Sequence, residues 1–301
     1  MGGEFESAER RLLGRYGLEL EERRFAVAGG TGRALVGGDG QPVVFVPGGG
    51  MPAAGWAPLV AAVPGIRAHL LELPGFGLGD LLPAPERPLR AAAVDFLEAA
   101  FDSLEVDRPV VVANSMGALW TLWLAAERPS RVSSLILVGC PALLLGTSAP
   151  PPMRLLSVAG LGPLLLRLQR PSERQLERTL ASAGIDLRGN DELRDLALAM
   201  ERLPHFGVAW TRLLHAAIRL RGARPQTALT AETLRRIERP VQLIWGDRDP
   251  FGPPSVGEEA ARILRRAEMH VVPGGHAPWL TDPDGVARLV GEFLTGARRA
   301  V

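Results

Sequence analysis

The sequence predicts an α/β protein, a doubly wound and mostly parallel sheet flanked by helices, with a helical segment inserted into it. Three observations carry the prediction. Short β-branched runs alternate with helical periodicity from Pro42 to Val138. The same alternation returns from Val241 to Leu294. Between them, from about Leu143 to Arg236, it stops, and the chain becomes rich in Leu, Arg and Pro.

The totals bound the rest. The chain has 301 residues, 47% of them hydrophobic, enough for one large α/β domain with an insertion or for two small domains. A net charge of +1 argues against electrostatic capture of nucleic acid. All 34 basic residues are arginine, so no lysine is present to act as a Schiff base or catalytic amine. Cys140 is the single cysteine, which excludes an internal disulfide. No Cys/His cluster has metal-ligand spacing, and neither a metal nor a cofactor is expected. The first 24 residues are charged throughout and do not resemble a signal peptide. No uninterrupted apolar run approaches membrane-spanning length, so a cytoplasmic location without a membrane span is expected.

Taken in order, Ser7–Leu20 reads as a lead helix with Leu12, Leu13 and Tyr16 on one face. Arg24–Val27 and Arg33–Val36 flank a Gly-rich turn and read as a hairpin. Pro42–Val46 is the first buried strand, ending in Pro47-Gly48-Gly49-Gly50. Glycines straight after an apolar strand let backbone N–H groups face a ligand, although a plain flexible turn has the same composition. Arg67–Leu73 is the next strand, followed by Pro74-Gly75-Phe76-Gly77-Leu78-Gly79-Asp80. Those glycines have the wrong spacing for a dinucleotide fingerprint, and no helix pattern opens on them. Leu89–Leu104 is helical, Val110–Ala113 a strand, Ser115–Glu127 a helix and Val132–Val138 a strand. After the helical segment come strands Val241–Trp245 and Ala267–Val272 and a last helix from about Pro283 to Leu294.

The stretch around Ser115 organises the chain. Val110–Val112 runs into Ala113-Asn114-Ser115-Met116-Gly117 and at once into a helix. Such a tight bend crowds the chain, so Ala113 and Gly117, two residues either side of the serine, must be small. A serine with small neighbours is also an ordinary helix N-cap. The pattern resembles the G-x-S-x-G nucleophile elbow of α/β-hydrolases, with Ala113 in place of the first glycine.

Further stretches strengthen the resemblance. Gly48-Gly49-Gly50 is similar to the family's oxyanion loop, with Pro47 where a histidine is common. Glu72 to Asp80 is similar to its D-x-P-G-x-G-x-S loop. Trp245-Gly246-Asp247-Arg248-Asp249 resembles the box that carries the triad acid; it favours Asp249, with Asp247 in reserve. Gly274-Gly275-His276-Ala277-Pro278-Trp279 resembles the box that carries the base. Of the other four histidines, His270 and His69 lie in strands, and His205 and His215 either line a pocket or face solvent.

The resemblance implies a core of residues 1–142 and 237–301 and a helical cap of 143–236. It implies a catalytic set of Ser115, Asp249 and His276, in the Ser, Asp, His order of this family. It places the oxyanion donors on Met116 and Gly49, and pocket residues at Gly48, Asn114, Phe251 and Trp279. Apolar residues of Met153–Leu168 are expected to line an acyl pocket. The implied activity is hydrolysis of a small carboxylic ester through an acyl-enzyme, with a small-molecule acyl substrate as partner. Two alternatives stay open: a C–C bond hydrolase of dienoic ketoacids, suggested by Asn-Ser-Met-Gly, and a non-catalytic ligand-binding homologue. Whether the chain forms a homodimer is left open as well.

Overall fold

The computed structural model describes residues 2–81, 87–168 and 171–299, the last three as backbone only. Among the described residues ten strands form: β1 Glu21–Val27, β2 Gly30–Gly37, β3 Gln41–Val46, β4 Ile66–Leu71, β5 Val110–Ala113, β6 Ser134–Val138, β7 Ile218–Arg219, β8 Gly222–Ala223, β9 Val241–Gly246 and β10 Ala267–Val272. Eight of them make one sheet in the order β1-β2-β4-β3-β5-β6-β9-β10. β1 and β2 pair antiparallel, as do β2 and β4; every later pairing, from β4–β3 to β9–β10, is parallel.

Burial explains the composition of the strands. β5 lies in the interior of the sheet, and all four of its residues are buried, as are all five of β6 and all six of β9. A strand covered on both faces reads as a continuous apolar run, and Val110-Val111-Val112-Ala113 is such a run. β1 is the exposed edge, where only Phe25 is buried; its many charges suit an edge that must not pair further.

The sequence of connections places a crevice. From β3 the chain steps to β4 on one side and then returns to β5 on the other. Loops leaving the carboxyl ends of β3 and β5 therefore diverge, which is where open α/β sheets hold ligands. The loops concerned carry Gly48–Gly50 and Ser115.

Three expectations need correction. The lead helix runs Gly2–Arg15, five residues earlier than the apolar pattern suggested. Leu18 N–H turns back to the Leu13 carbonyl (3.0 Å), which closes the helix before Leu20. Val132 and Ser133 lie outside β6, after a single 3₁₀ turn at Pro129–Arg131. The segment between β6 and β9 is not wholly helical. It contains helices Pro151–Leu156, Leu161–Leu168, Glu173–Ser182, Asp191–Glu201, Phe206–Ala217 and Ala231–Arg235, and also the β7–β8 hairpin. Two-residue strands carry too little periodicity to be seen in sequence.

A buried ion cluster fastens the N-terminal helix to the sheet. Arg33, on β2, donates to both carboxylate oxygens of Glu9, to Glu72 and to Glu22. Burial opposes its charge, but the bond to Glu9 and the carboxylates of Glu72 and Glu22 outweigh this and raise its pKa above the ordinary guanidinium range. The other Glu72 oxygen accepts the N–H groups of Leu78 and Gly79 (2.9 Å each). Glu72, at the strand end, thus organises the turn that follows it.

Candidate active site

Ser115 stands at the end of β5 as the first residue of helix Ser115–Glu127, with φ +50°. A non-glycine residue in the left-handed region costs on the order of 1–3 kcal/mol and persists only when its surroundings impose it. Here they do. A side chain on Gly117 would place its Cβ 2.4 Å from the Val46 carbonyl oxygen, so the helix presses directly on the end of β3. Asn114 N–H bonds the Val46 carbonyl (3.1 Å), and Ala142 N–H bonds the Ser115 carbonyl (2.9 Å).

His276 lies in the loop after β10 and is buried. Its Nδ1 lies 3.0 and 2.9 Å from the two carboxylate oxygens of Asp249, whose side chain is 0% exposed. Asp249 also accepts the N–H of Cys140 (2.8 Å) and of Phe251 (2.9 Å). A carboxylate so held is an acceptor only, so the proton of a neutral His276 sits on Nδ1 and the lone pair on Nε2. Nε2 is buried and has no hydrogen-bond partner among the described residues. No bond joins it to the Ser115 hydroxyl in this state, although both residues line one cavity. Phe251 stacks on the imidazole at a centroid distance of 4.0 Å and limits its rotation.

The reserve acid, Asp247, is placed elsewhere. Its side chain is 49% exposed, and it accepts the Gly274 N–H (2.9 Å). That bond and the one to Arg248 hold its carboxyl below the usual range. Asp247 thus fastens the loop that carries His276.

Met116 and Gly49 both border the cavity. Met116 is in the first turn of its helix, where N–H groups have no intrahelical partner. Gly48 lies against Asn114: a Cβ there would meet Asn114 Oδ1 at 2.6 Å. Asn114 itself is a brace as well as a lining residue. Its amide donates to the carbonyls of Val138 (2.7 Å) and His276 (3.0 Å), joining the ends of β5 and β6 to the histidine loop.

Trp279 does not line the pocket. It is fully buried, stacks on Trp56 at 4.2 Å and donates its indole N–H to the Gly55 carbonyl (3.0 Å). The helix Pro278–Thr281 begins just after His276 and directs this ring into the core. His205 and His215 also lie outside the cavity lining. His205 Nε2 contacts the Gly77 carbonyl (3.1 Å), and His215 Nδ1 contacts the Ser157 carbonyl (3.0 Å). Burial pushes the Cys140 thiol well up, and the Asp249 charge adds to this, so it is a buried neutral group.

The cavity measures about 370 Å³. It is lined by Ser115, His276 and the glycine loop; Met153, Leu156 and Leu166 come from the expected apolar stretch, and Leu176, Leu180 and Met200 from later helices. Among the lining residues that sequence reasoning missed, Trp210 and Glu201 matter most to the site. Trp210 rests on the glycine loop, where a Cβ on Gly49 would meet its ring at 2.9 Å. Glu201 borders the cavity without a hydrogen bond or ion pair among the described residues, and burial pushes its carboxyl up to about 7. A lone tryptophan or glutamate at the end of a helix carries no signal of this in sequence. No arginine borders the cavity among the described residues.

Residues 43–289 match the α/β hydrolase family. That span includes most of β3, all of β4 to β10, the serine turn and the histidine loop. The chain belongs to the α/β hydrolase family. Among curated relatives, a 2-hydroxy-6-oxononadienedioate/2-hydroxy-6-oxononatrienedioate hydrolase from Cupriavidus pinatubonensis is 28% identical over 274 residues, covering 86% of this chain and 88% of its own. A 2-hydroxymuconate semialdehyde hydrolase from a Pseudomonas strain is 28% identical, covering 87% of this chain and 90% of its own. Among solved structures, a carboxylesterase from Bacillus subtilis superposes with a TM-score of 0.77 at 19% identity, covering 98% of each chain. These likenesses establish a hydrolase fold.

Proposed function

We propose that this α/β hydrolase is a serine esterase that cleaves neutral carboxylic esters with an apolar acyl group. Its catalytic set is Ser115, His276 and Asp249. The observation that carries the reading is the buried imidazole, bonded to Asp249 through Nδ1 and unpartnered at Nε2, in a residue that borders the same cavity as Ser115.

The steps follow from these positions. Serine is a weak nucleophile until a base removes its proton. His276 Nε2 takes the Ser115 proton as Oγ attacks the ester carbonyl, and Asp249 stabilises the imidazolium. The N–H groups of Met116 and Gly49 hold the oxyanion; losing one such donor typically costs about 3–4 kcal/mol. The imidazolium then gives its proton to the departing alkoxide, leaving an acyl-Ser115. Water, deprotonated by His276, hydrolyses the acyl-enzyme and restores the hydroxyl. Ser115 must turn toward Nε2 for the first step, since catalytic bonds often tighten only with substrate bound.

Sequence similarity favours a second reading. The curated relatives include hydrolases named for dienedioates and dienoates, substrates that carry carboxylates. The lining of this cavity supports the ester instead. An anionic substrate would meet no described cationic side chain there, and would share the cavity with Glu201. A buried charge without a partner is costly.

Turnover of short and long nitrophenyl esters, measured beside a 2-hydroxy-6-oxodienoate, tests the choice. Ester turnover higher in kcat/KM by tenfold or more supports the proposal. The reverse preference, or a Ser115 inert to a fluorophosphonate probe, overturns it.

A further inference from the structure

The described residues contain seven large apolar side chains that are exposed, and six lie between Leu155 and Leu220. In helix Leu161–Leu168, Leu161, Leu164 and Leu168 follow an i, i+3, i+7 spacing and so share one face. That face is open to solvent, with Leu164 at 53% and Leu168 at 73% exposure. Helix Pro151–Leu156 packs on this helix and on the β7–β8 hairpin, adding Leu155 and Leu220. Arg154 ties helix to hairpin through the Leu220 carbonyl (3.4 Å).

The charge of this region is one-sided. Residues 143–172 contain no Asp or Glu, and neither do 202–231. Arg167, Arg219 and Arg221 have no acidic partner among the described residues. Between Pro151 and Arg224, the stretch that holds both helices and the hairpin, the acids all fall from Glu173 to Glu201, and two of them pair with the N-terminal helix: Glu192 with Arg15, and Asp195 with Arg11. The insertion thus separates an acid-bearing side, joined to the N-terminal helix, from an apolar and purely cationic one.

We propose that the face formed by helices Pro151–Leu156 and Leu161–Leu168 and the β7–β8 hairpin docks on an anionic lipid bilayer surface. Exposed leucines beside unpaired arginines suit the boundary between acyl chains and anionic headgroups, where each arginine gains attraction to the surface. A second copy of the chain is a poorer occupant. A two-fold contact would set this patch against itself and oppose arginine to arginine. The same helices turn their inner sides to the cavity through Met153, Leu156 and Leu166. An acyl chain leaving the bilayer would pass from one apolar surface to the next.

Flotation with vesicles tests the contact, using phosphatidylcholine alone and phosphatidylcholine mixed equally with phosphatidylglycerol. The expected result is flotation with the anionic vesicles only, weakened in molar salt. Leu164→Ser/Leu220→Ser should lower it about tenfold or more, and Arg219→Ser/Arg221→Ser should lower it and flatten its salt dependence. Unchanged circular dichroism checks that these variants fold; the arginine pair is on an exposed hairpin and serves if the leucine pair fails. Ser115→Ala should float like the wild type, which separates lipid contact from the proposed chemistry. Flotation absent or indifferent to headgroup charge overturns the proposal, and so does flotation unaltered in both double variants. Self-association in sedimentation equilibrium that Leu164→Ser/Leu220→Ser abolishes assigns the face to a second copy and equally overturns it.

Discussion

The sheet with its loops and the insertion between β6 and β9 treat buried carboxylates in opposite ways. In the sheet, buried charges are matched: Arg33 meets Glu9, Glu22 and Glu72, and Asp249 meets His276 and two N–H groups. In the insertion, Glu201 borders a cavity with no partner among the described residues, and leucines are turned outward. Matching fixes a single arrangement, because breaking any member leaves an uncompensated charge in low dielectric. The insertion is held by fewer such constraints. It is therefore where chemistry of contact, with substrate or with a surface, can vary without loss of the fold.

If the contrast is sound, substitutions in the two regions should fail differently. Ser115→Ala is expected to lower ester kcat by about 10⁴–10⁶-fold while leaving the urea midpoint nearly unchanged. Asp249→Asn should lower it by roughly 10⁴-fold through loss of the correct histidine tautomer. An Asp249→Asn enzyme of wild-type kcat would remove this carboxylate from the proposed catalytic set.

Stability effects come next. Arg33→Met should cost about 3–5 kcal/mol in urea denaturation, because Glu9 and Glu72 would remain buried without their cation. A loss below about 1 kcal/mol would show that matching is not what distinguishes the sheet. In the insertion, Leu180→Phe should cost less, about 1–3 kcal/mol if the ring is overpacked. It should shorten the preferred acyl chain in a series of nitrophenyl esters; an unaltered chain-length profile would exclude this end of the cavity as an acyl pocket.

The smallest effect is a pH dependence. The Glu201 carboxyl titrates at about 7 in the folded chain, against an unfolded value of 4.5. Between these values the folded state binds more protons, so its contribution to stability falls as pH rises from about 4.5 through 7. Glu201→Gln should accordingly stabilise the protein at pH 8, by about 1 kcal/mol after allowance for partial exposure, and change little at pH 4. Urea midpoints of both proteins at the two pH values read this directly. Equal midpoints at pH 8 would mean that the carboxyl is solvated and that the insertion holds no unmatched charge.

Much of the sheet could be read in advance because its rules are local. Val110–Ala113 had to be a strand buried on both faces, and Gly117 had to be small, before any contact was known. The same holds for the turn at Gly274–His276 and for the strand that ends at Trp245. The acid was narrower ground: Asp247 and Asp249 sit two residues apart in one turn, and only their partners separate them. The insertion resisted reading for the opposite reason, since its helices are short and broken by Pro and Gly, and neither their facing nor the β7–β8 hairpin follows from periodicity.

Sequence alone determined the alternation of strand and helix and the tight turn at Ser115, because spacing along the chain encodes both; the candidate set of Ser115, Asp249 and His276 came from the resemblance to the hydrolase motifs. Tertiary structure decided that Trp279 belongs to the core, that Asn114 ties the ends of β5 and β6 to the histidine loop, and that Glu201 and Trp210 border the cavity. It also decided which leucines remain outside. Those outcomes depend on which surfaces meet across long separations in the chain, and no local pattern of residue types specifies that.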